Sequence, residues 1–127
     1  MTAIYLYANA VLYAAFALWI TISPWKTAVA IGYESLTASG RSEYLVVYGG
    51  LQLGLAAFFA LLAVNESTHR LGLMFSICMY VPIVLYRLIT VGRFWPVAST
   101  TLIVGALEVI LLVAAIALLI AGRPITA

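Results

Sequence analysis

Four apolar runs, each about 20 residues long, restrict this chain to one kind of architecture. They cover roughly residues 4–22, 43–64, 71–91 and 100–121. A stretch of about 20 apolar residues, wound as a helix, crosses the hydrocarbon core of a bilayer. Within lipid every backbone N–H and C=O must be satisfied by the protein itself, so only helices and closed barrels can span it. These runs show no strand alternation and are too long for barrel strands. The sequence therefore predicts an all-α integral membrane protein, a single-domain four-helix bundle with short loops and a longer first connection. Composition supports this: the 127 residues are 66% hydrophobic and 8% charged, against about 45–50% and about 25% in soluble domains. A water-soluble fold of this size could not hide so much apolar surface.

No basic stretch precedes the first run and no small-x-small cleavage site follows it, so it is expected to be retained as a span. Four spans put both termini on one side, here called side A. The first connection (23–42) and the third (92–99) then lie on side B, and a tight polar turn (65–70) lies on side A. Lys26, Arg41 and Arg93 belong to side B, with Arg87 close by; Arg70, Arg123 and His69 belong to side A. The positive-inside rule leans towards a cytoplasmic side B by one or two charges. A net charge of +2, scattered along the chain, points away from a nucleic-acid partner. Cys78, the single cysteine, can form no internal disulfide.

Within the first connection, Ser23-Pro24-Trp25-Lys26 reads as the start of a helix, with Ser23 as N-cap and Pro24 at its first position. An interfacial helix over residues 24–32 would lie across the side-B mouth; a plain loop with one belt tryptophan is the alternative. Trp19, Trp25, Phe94 and Trp95 gather near side B as an aromatic belt. Glu43 stands where the second span begins and is expected to favour that helix N-terminus. His69 reads as a solvated residue of the turn, and Pro82 as a bend in the third span.

The informative residues are the polar ones inside the spans. Tyr5, Asn9 and Tyr13 recur every four residues on the first span, and Tyr44, Tyr48 and Gln52 do so on the second. Tyr80 and Arg87 are seven apart on the third, and Glu108 lies within the fourth. Such spacings make each set a stripe along one helix face. At 1.5 Å per residue, Gln52 and Glu108 lie about 13 Å in from side B, and Tyr48 and Arg87 about 6–7 Å. Helical side chains lean towards their own N-terminus. Arg87 therefore leans inward while Glu108 leans outward, and the two are aimed at each other across antiparallel helices. An unpaired charge at mid-bilayer costs about 2.5–3.5 kcal/mol on the insertion scale, which favours the pairing.

Two readings of this cluster stay open. Arg87 and Glu108 form either a structural pair that fixes register or part of a ligand or proton site. Gln52 and Tyr48 fit interhelical hydrogen bonds as well as they fit ligand contacts. Gly50 and Gly54 form a small-xxx-small pair expected to let a neighbouring helix approach, in the bundle or in a homo-oligomer. One histidine and one mid-span cysteine offer no spacing for a metal site. The chain has no phosphate-binding glycine loop, no Ser-His-Asp set and no CxxC.

With its YGGLQLGL segment in the second span, Arg87 near the end of the third and Glu108 in the fourth, the chain resembles the DoxX-like group of small bacterial membrane proteins. It is most like a branch described as a domain of unknown function. The resemblance spans nearly the whole chain, and Glu43–Phe59 is its most specific part. It implies a four-helix bundle with a polar interior, to whose polar face Glu43, Tyr48, Gln52, Arg87 and Glu108 would belong. The group includes quinone-linked oxidoreductase subunits, assembly factors and cargo receptors, so activity does not transfer with the fold. The cysteines often used by redox relatives are absent here.

The combined expectation is a non-catalytic binding or accessory protein of the bacterial plasma membrane. Tyr13, Tyr48, Gln52, Tyr80, Arg87 and Glu108 would line a pocket for a lipid- or quinone-like ligand. Arg87 would anchor an anionic or carbonyl head, Glu108 would balance the arginine, and Tyr13 and Tyr80 would flank the apolar part. No other cofactor is evident, and the partners expected are the bilayer and either a membrane protein or a second copy. The rival roles are a proton-coupled small transporter and a membrane subunit of a quinone-linked oxidoreductase.

Overall fold

The computed structural model describes residues 1–122, all of whose regular structure is helical; Arg123, counted above among the side-A charges, lies outside them. Helix α1 (Thr2–Ile22) is followed by the short α2 (Pro24–Ala30). Helix α3 (Ala38–Tyr44) runs through a π-helical segment (Leu45–Gly50) directly into α4 (Leu51–Val64). Helices α5 (Glu66–Arg93) and α6 (Ser99–Ala121) complete the chain. Four rods are long and apolar enough to cross a membrane: α1, the continuous Ala38–Val64, α5 and α6. The all-α, multi-pass bundle expected from the apolar runs is what forms.

Each span is longer than its apolar run, and polar side chains cap the starts of the second and third. The second begins at Ala38, where the Thr37 side chain accepts a hydrogen bond from the Gly40 N–H. Glu43 is therefore not at a helix start; it sits beyond the first turn and is exposed. The side-A turn shrinks to one residue, Asn65, between α4 and α5. Asn65 Oδ1 accepts from the Ser67 N–H and hydroxyl at 3.0 and 2.9 Å, capping α5. Thr68 Oγ1 donates to the Leu62 carbonyl at 2.9 Å, and His69 Nε2 donates to the Ala63 carbonyl at 3.1 Å. The last carbonyls of a helix lack partners of their own, so His69 clamps the turn rather than simply standing in solvent. Pro82 lies inside α5, which continues through it.

The interfacial helix is present as Pro24–Ala30 with Pro24 in the first turn. Ser23 precedes it but makes no side-chain cap. Its carbonyl instead accepts from the Thr27 N–H at 3.1 Å and from the Thr27 hydroxyl at 3.0 Å. Trp19, Trp25, Phe94 and Trp95 are all exposed near this end, as an aromatic belt requires.

Helix α1 packs along α4 and α5 along α6, and both α1 and α4 touch α5. The core of this arrangement holds Leu6, Phe59 and Tyr80. The Tyr13 ring stacks on Phe59 with centroids 5.7 Å apart, and Phe75 meets Phe59 edge-on at 5.4 Å. Between helices in lipid, water exclusion contributes little and close packing contributes most. Gly72 shows why: a Cβ there would lie 2.8 Å from Leu6 Cδ2, so the fully buried Leu6 seats directly on the bare backbone of α5.

A polar cavity within the bundle as candidate site

The stripes read from the sequence meet in the interior. Asn9 and Tyr80 are both fully buried, and the Tyr80 hydroxyl donates to Asn9 Oδ1 at 2.6 Å. Asn9 Nδ2 in turn donates to the Tyr5 carbonyl at 2.8 Å, and the Tyr5 hydroxyl donates to the Leu111 carbonyl at 3.0 Å. The Tyr13 hydroxyl reaches Met79 Sδ at 3.7 Å. These bonds tie α1 to α5 and α6 and satisfy polar groups that lipid could not.

Arg87 and Glu108 form the pair expected of them, with two parallel bonds. Nε donates to Oε2 at 2.9 Å and Nη2 donates to Oε1 at 2.6 Å. This is the fork geometry that makes arginine–carboxylate pairs strong and directional. Gly105, one turn before Glu108, makes the pair fit. A Cβ at Gly105 would stand 3.2 Å from Arg87 Cγ and 3.4 Å from Cδ, so the arginine stem lies across the surface of α6 at that glycine. Neither Gly105 nor Gly72 was marked by sequence pattern, although the i, i+3 relation of Gly105 to Glu108 was there to be read.

Beside the pair lies a cavity of about 480 Å³. Tyr13, Tyr48, Gln52, Tyr80, Arg87 and Glu108 all line it. Its size falls in the range of small-molecule sites, about 300–1,000 Å³. Thr27, Ala30 and Ile31 contribute at its side-B end, so α2 and the turn after it help to close the mouth. Leu12, Phe16, Ile83, Val104 and Leu107 supply apolar wall. The interhelical polar bonds described above do not include Gln52, which leaves its amide with the cavity rather than with a neighbouring helix.

The π segment explains how one helix offers three polar residues to one cavity. Four α-helical residues overshoot a full turn of 3.6, so a stripe at every fourth residue drifts round the helix. The wider i→i+5 turns of a π segment undershoot it, which brings Tyr44, Tyr48 and Gln52 back into line across Leu45–Gly50. Gly49 is buried at the end of this segment, where a Cβ would lie 3.3 Å from Thr21 Oγ1 of α1.

Two expectations are corrected. Gly50 and Gly54 are exposed, with no atom of a neighbouring element within 4 Å of an added Cβ. Within the bundle the close approaches fall at Gly49, Gly72 and Gly105 instead. The reason is angular: neighbouring residues point in well-separated directions round a helix, so Gly49 faces α1 while Gly50 faces outward. Glu43, placed on the polar face by family resemblance, is exposed and does not line the cavity. Conversely Tyr44, not singled out as a site residue, does line it.

Among the described residues no three of His, Cys, Asp and Glu come together to hold a metal ion. Comparison with protein-family models, with curated proteins and with solved structures finds no match for this chain.

Proposed function

We propose that this is a non-catalytic membrane binding protein that holds a small amphipathic molecule, lipid- or quinone-like, inside the bundle. One observation carries the reading. Six polar side chains from all four spanning rods converge on one cavity, and the only ion pair among the described residues, which bridges α5 and α6, also lines its wall. Ionisable residues within membrane spans are functional-site candidates by default. Here the Arg87 side chain keeps 32% of its surface accessible. The reading places the protein in the bacterial plasma membrane with the α2 side towards the cytoplasm, where Lys26, Arg41 and Arg93 lie. It agrees with membership of the DoxX-like group.

The test is native mass spectrometry of protein extracted gently from its own membranes. A bound small molecule is expected in the unaltered chain. It should be absent from Arg87→Ala and from Leu107→Trp, which fills the cavity while retaining both residues of the pair. A stoichiometric protein partner together with an empty cavity would refute the reading and leave the polar cluster as structural glue.

A further inference from the structure

Resting on that reading, we infer that the cavity selects an uncharged amphiphile, and that the Tyr44 hydroxyl is a ligand contact for its oxygen-bearing head. The first half follows from charge. Arg87 and Glu108 are the only charged residues among those lining the cavity, and they neutralise one another through two bonds. Lys26, Glu34, Arg41, Glu43 and Arg93, the other charged residues of that end, are exposed and take no part in its wall. An anionic head would bring a negative charge beside Glu108, and a cationic head a positive charge beside Arg87. In a medium poor in water either repulsion is weakly screened. An uncharged head meets no such repulsion. It can accept from the guanidinium, which has five N–H groups and uses two of them on Glu108, leaving three. Gln52 adds one more donor and acceptor in the same wall.

The second half follows from an unmet hydroxyl. Tyr44 is 4% exposed and lines the cavity, yet its hydroxyl is buried with no hydrogen-bond partner among the described residues. Buried polar groups are rarely left so, and such an oxygen in a cavity wall points to a partner that arrives from outside the chain. Tyr44 is held by aromatic neighbours on two sides: Tyr48 at 4.9 Å between centroids, and Tyr33 edge-on at 5.8 Å. Tyr33 is 41% exposed, lies in the α2–α3 connection and also lines the cavity. It is the neighbour freest to turn aside and open the hydroxyl to a ligand.

The test compares three amphiphiles of equal chain length on the full protein in nanodiscs: a monoacylglycerol, an alkyl phosphate and an alkyltrimethylammonium. Binding is read from the fluorescence of Trp19, which lines the cavity, with Trp25 and Trp95 replaced by Phe in every sample. The monoacylglycerol should bind at least tenfold more tightly than either charged compound. Glu108→Gln, which leaves the arginine unopposed, should shift preference to the alkyl phosphate. Tyr44→Phe should weaken monoacylglycerol binding severalfold while leaving the ligand-free protein as stable as before or more so, since the unmet hydroxyl is gone. A merely structural tyrosine would lose stability without loss of affinity. Preference for a charged head in the unaltered chain, or unchanged affinity in Tyr44→Phe, would overturn the inference while leaving a binding cavity in place. Failure of all three compounds to bind would overturn the binding reading itself.

Discussion

Separating the two halves of the Arg87–Glu108 pair should be costly, and unequally so. In Arg87→Gln, Glu108 loses both of its hydrogen bonds, and only 14% of its side chain is accessible. Its short side chain cannot reach the membrane surface from about 13 Å in, so the cost approaches that of a lone intramembrane charge, about 3 kcal/mol. In Glu108→Gln the guanidinium is left alone instead, but it starts about 6–7 Å from side B on a long stem. It can snorkel outward, and about 1.5 kcal/mol is expected. The double Gln variant strands no charge and should also cost about 1.5 kcal/mol, giving a coupling of about 3 kcal/mol between the two positions. Reversible unfolding in mixed micelles, driven by sodium dodecyl sulfate and followed by helical circular dichroism, measures all four corners of the cycle. Single-variant costs that add to within about 0.5 kcal/mol would refute the coupling. Equal costs for the two singles would refute the depth argument.

Three further outcomes follow from the packing. Gly72→Ala places a Cβ 2.8 Å from Leu6 Cδ2 and should destabilise by about 1–3 kcal/mol in the same assay, with partial recovery when combined with Leu6→Val. Tyr80→Phe strands the buried Asn9 oxygen and should cost about 1–3 kcal/mol, whereas Tyr80→Phe with Asn9→Leu should cost less than the single change. Gly50→Leu projects into open space and should leave monomer stability unchanged; a shift in the detergent-solubilised oligomer by light scattering would show that a second copy packs on this face.

The parts of this molecule legible in its sequence are those where lipid forbids an alternative. Four apolar runs had to be four helices, and Arg87, Glu108 and Tyr80 had to face inward because facing outward would leave polar groups in hydrocarbon. Depth and side-chain lean were enough to pair Arg87 with Glu108. Packing was harder to read, because in a membrane both the buried and the lipid-facing sides of a helix are apolar, and the pattern does not say which face meets a neighbour. Gly50 and Gly54 have the spacing of a contact but point outward, while Gly49, one position away, faces Thr21. Gly72 and Gly105 matter because of Leu6 and Arg87, residues distant in sequence. The π segment left no periodic trace that could be told from an α-helical stripe. Thr37 could have been recognised as a cap, but the apolar run started later and drew the helix boundary with it. Tyr44 was visible as part of its stripe; that its hydroxyl lacks a partner depends on where Tyr33 and Tyr48 pack.

The most direct test of the account is a high-resolution experimental structure of the protein in nanodiscs formed from its own membrane lipids. Density for a non-protein molecule in the cavity, with a head-group oxygen about 3 Å from the Arg87 guanidinium and the Arg87–Glu108 bonds intact, is the predicted result. A cavity collapsed by inward movement of Tyr48 and Gln52, with no foreign density against Arg87, would contradict it.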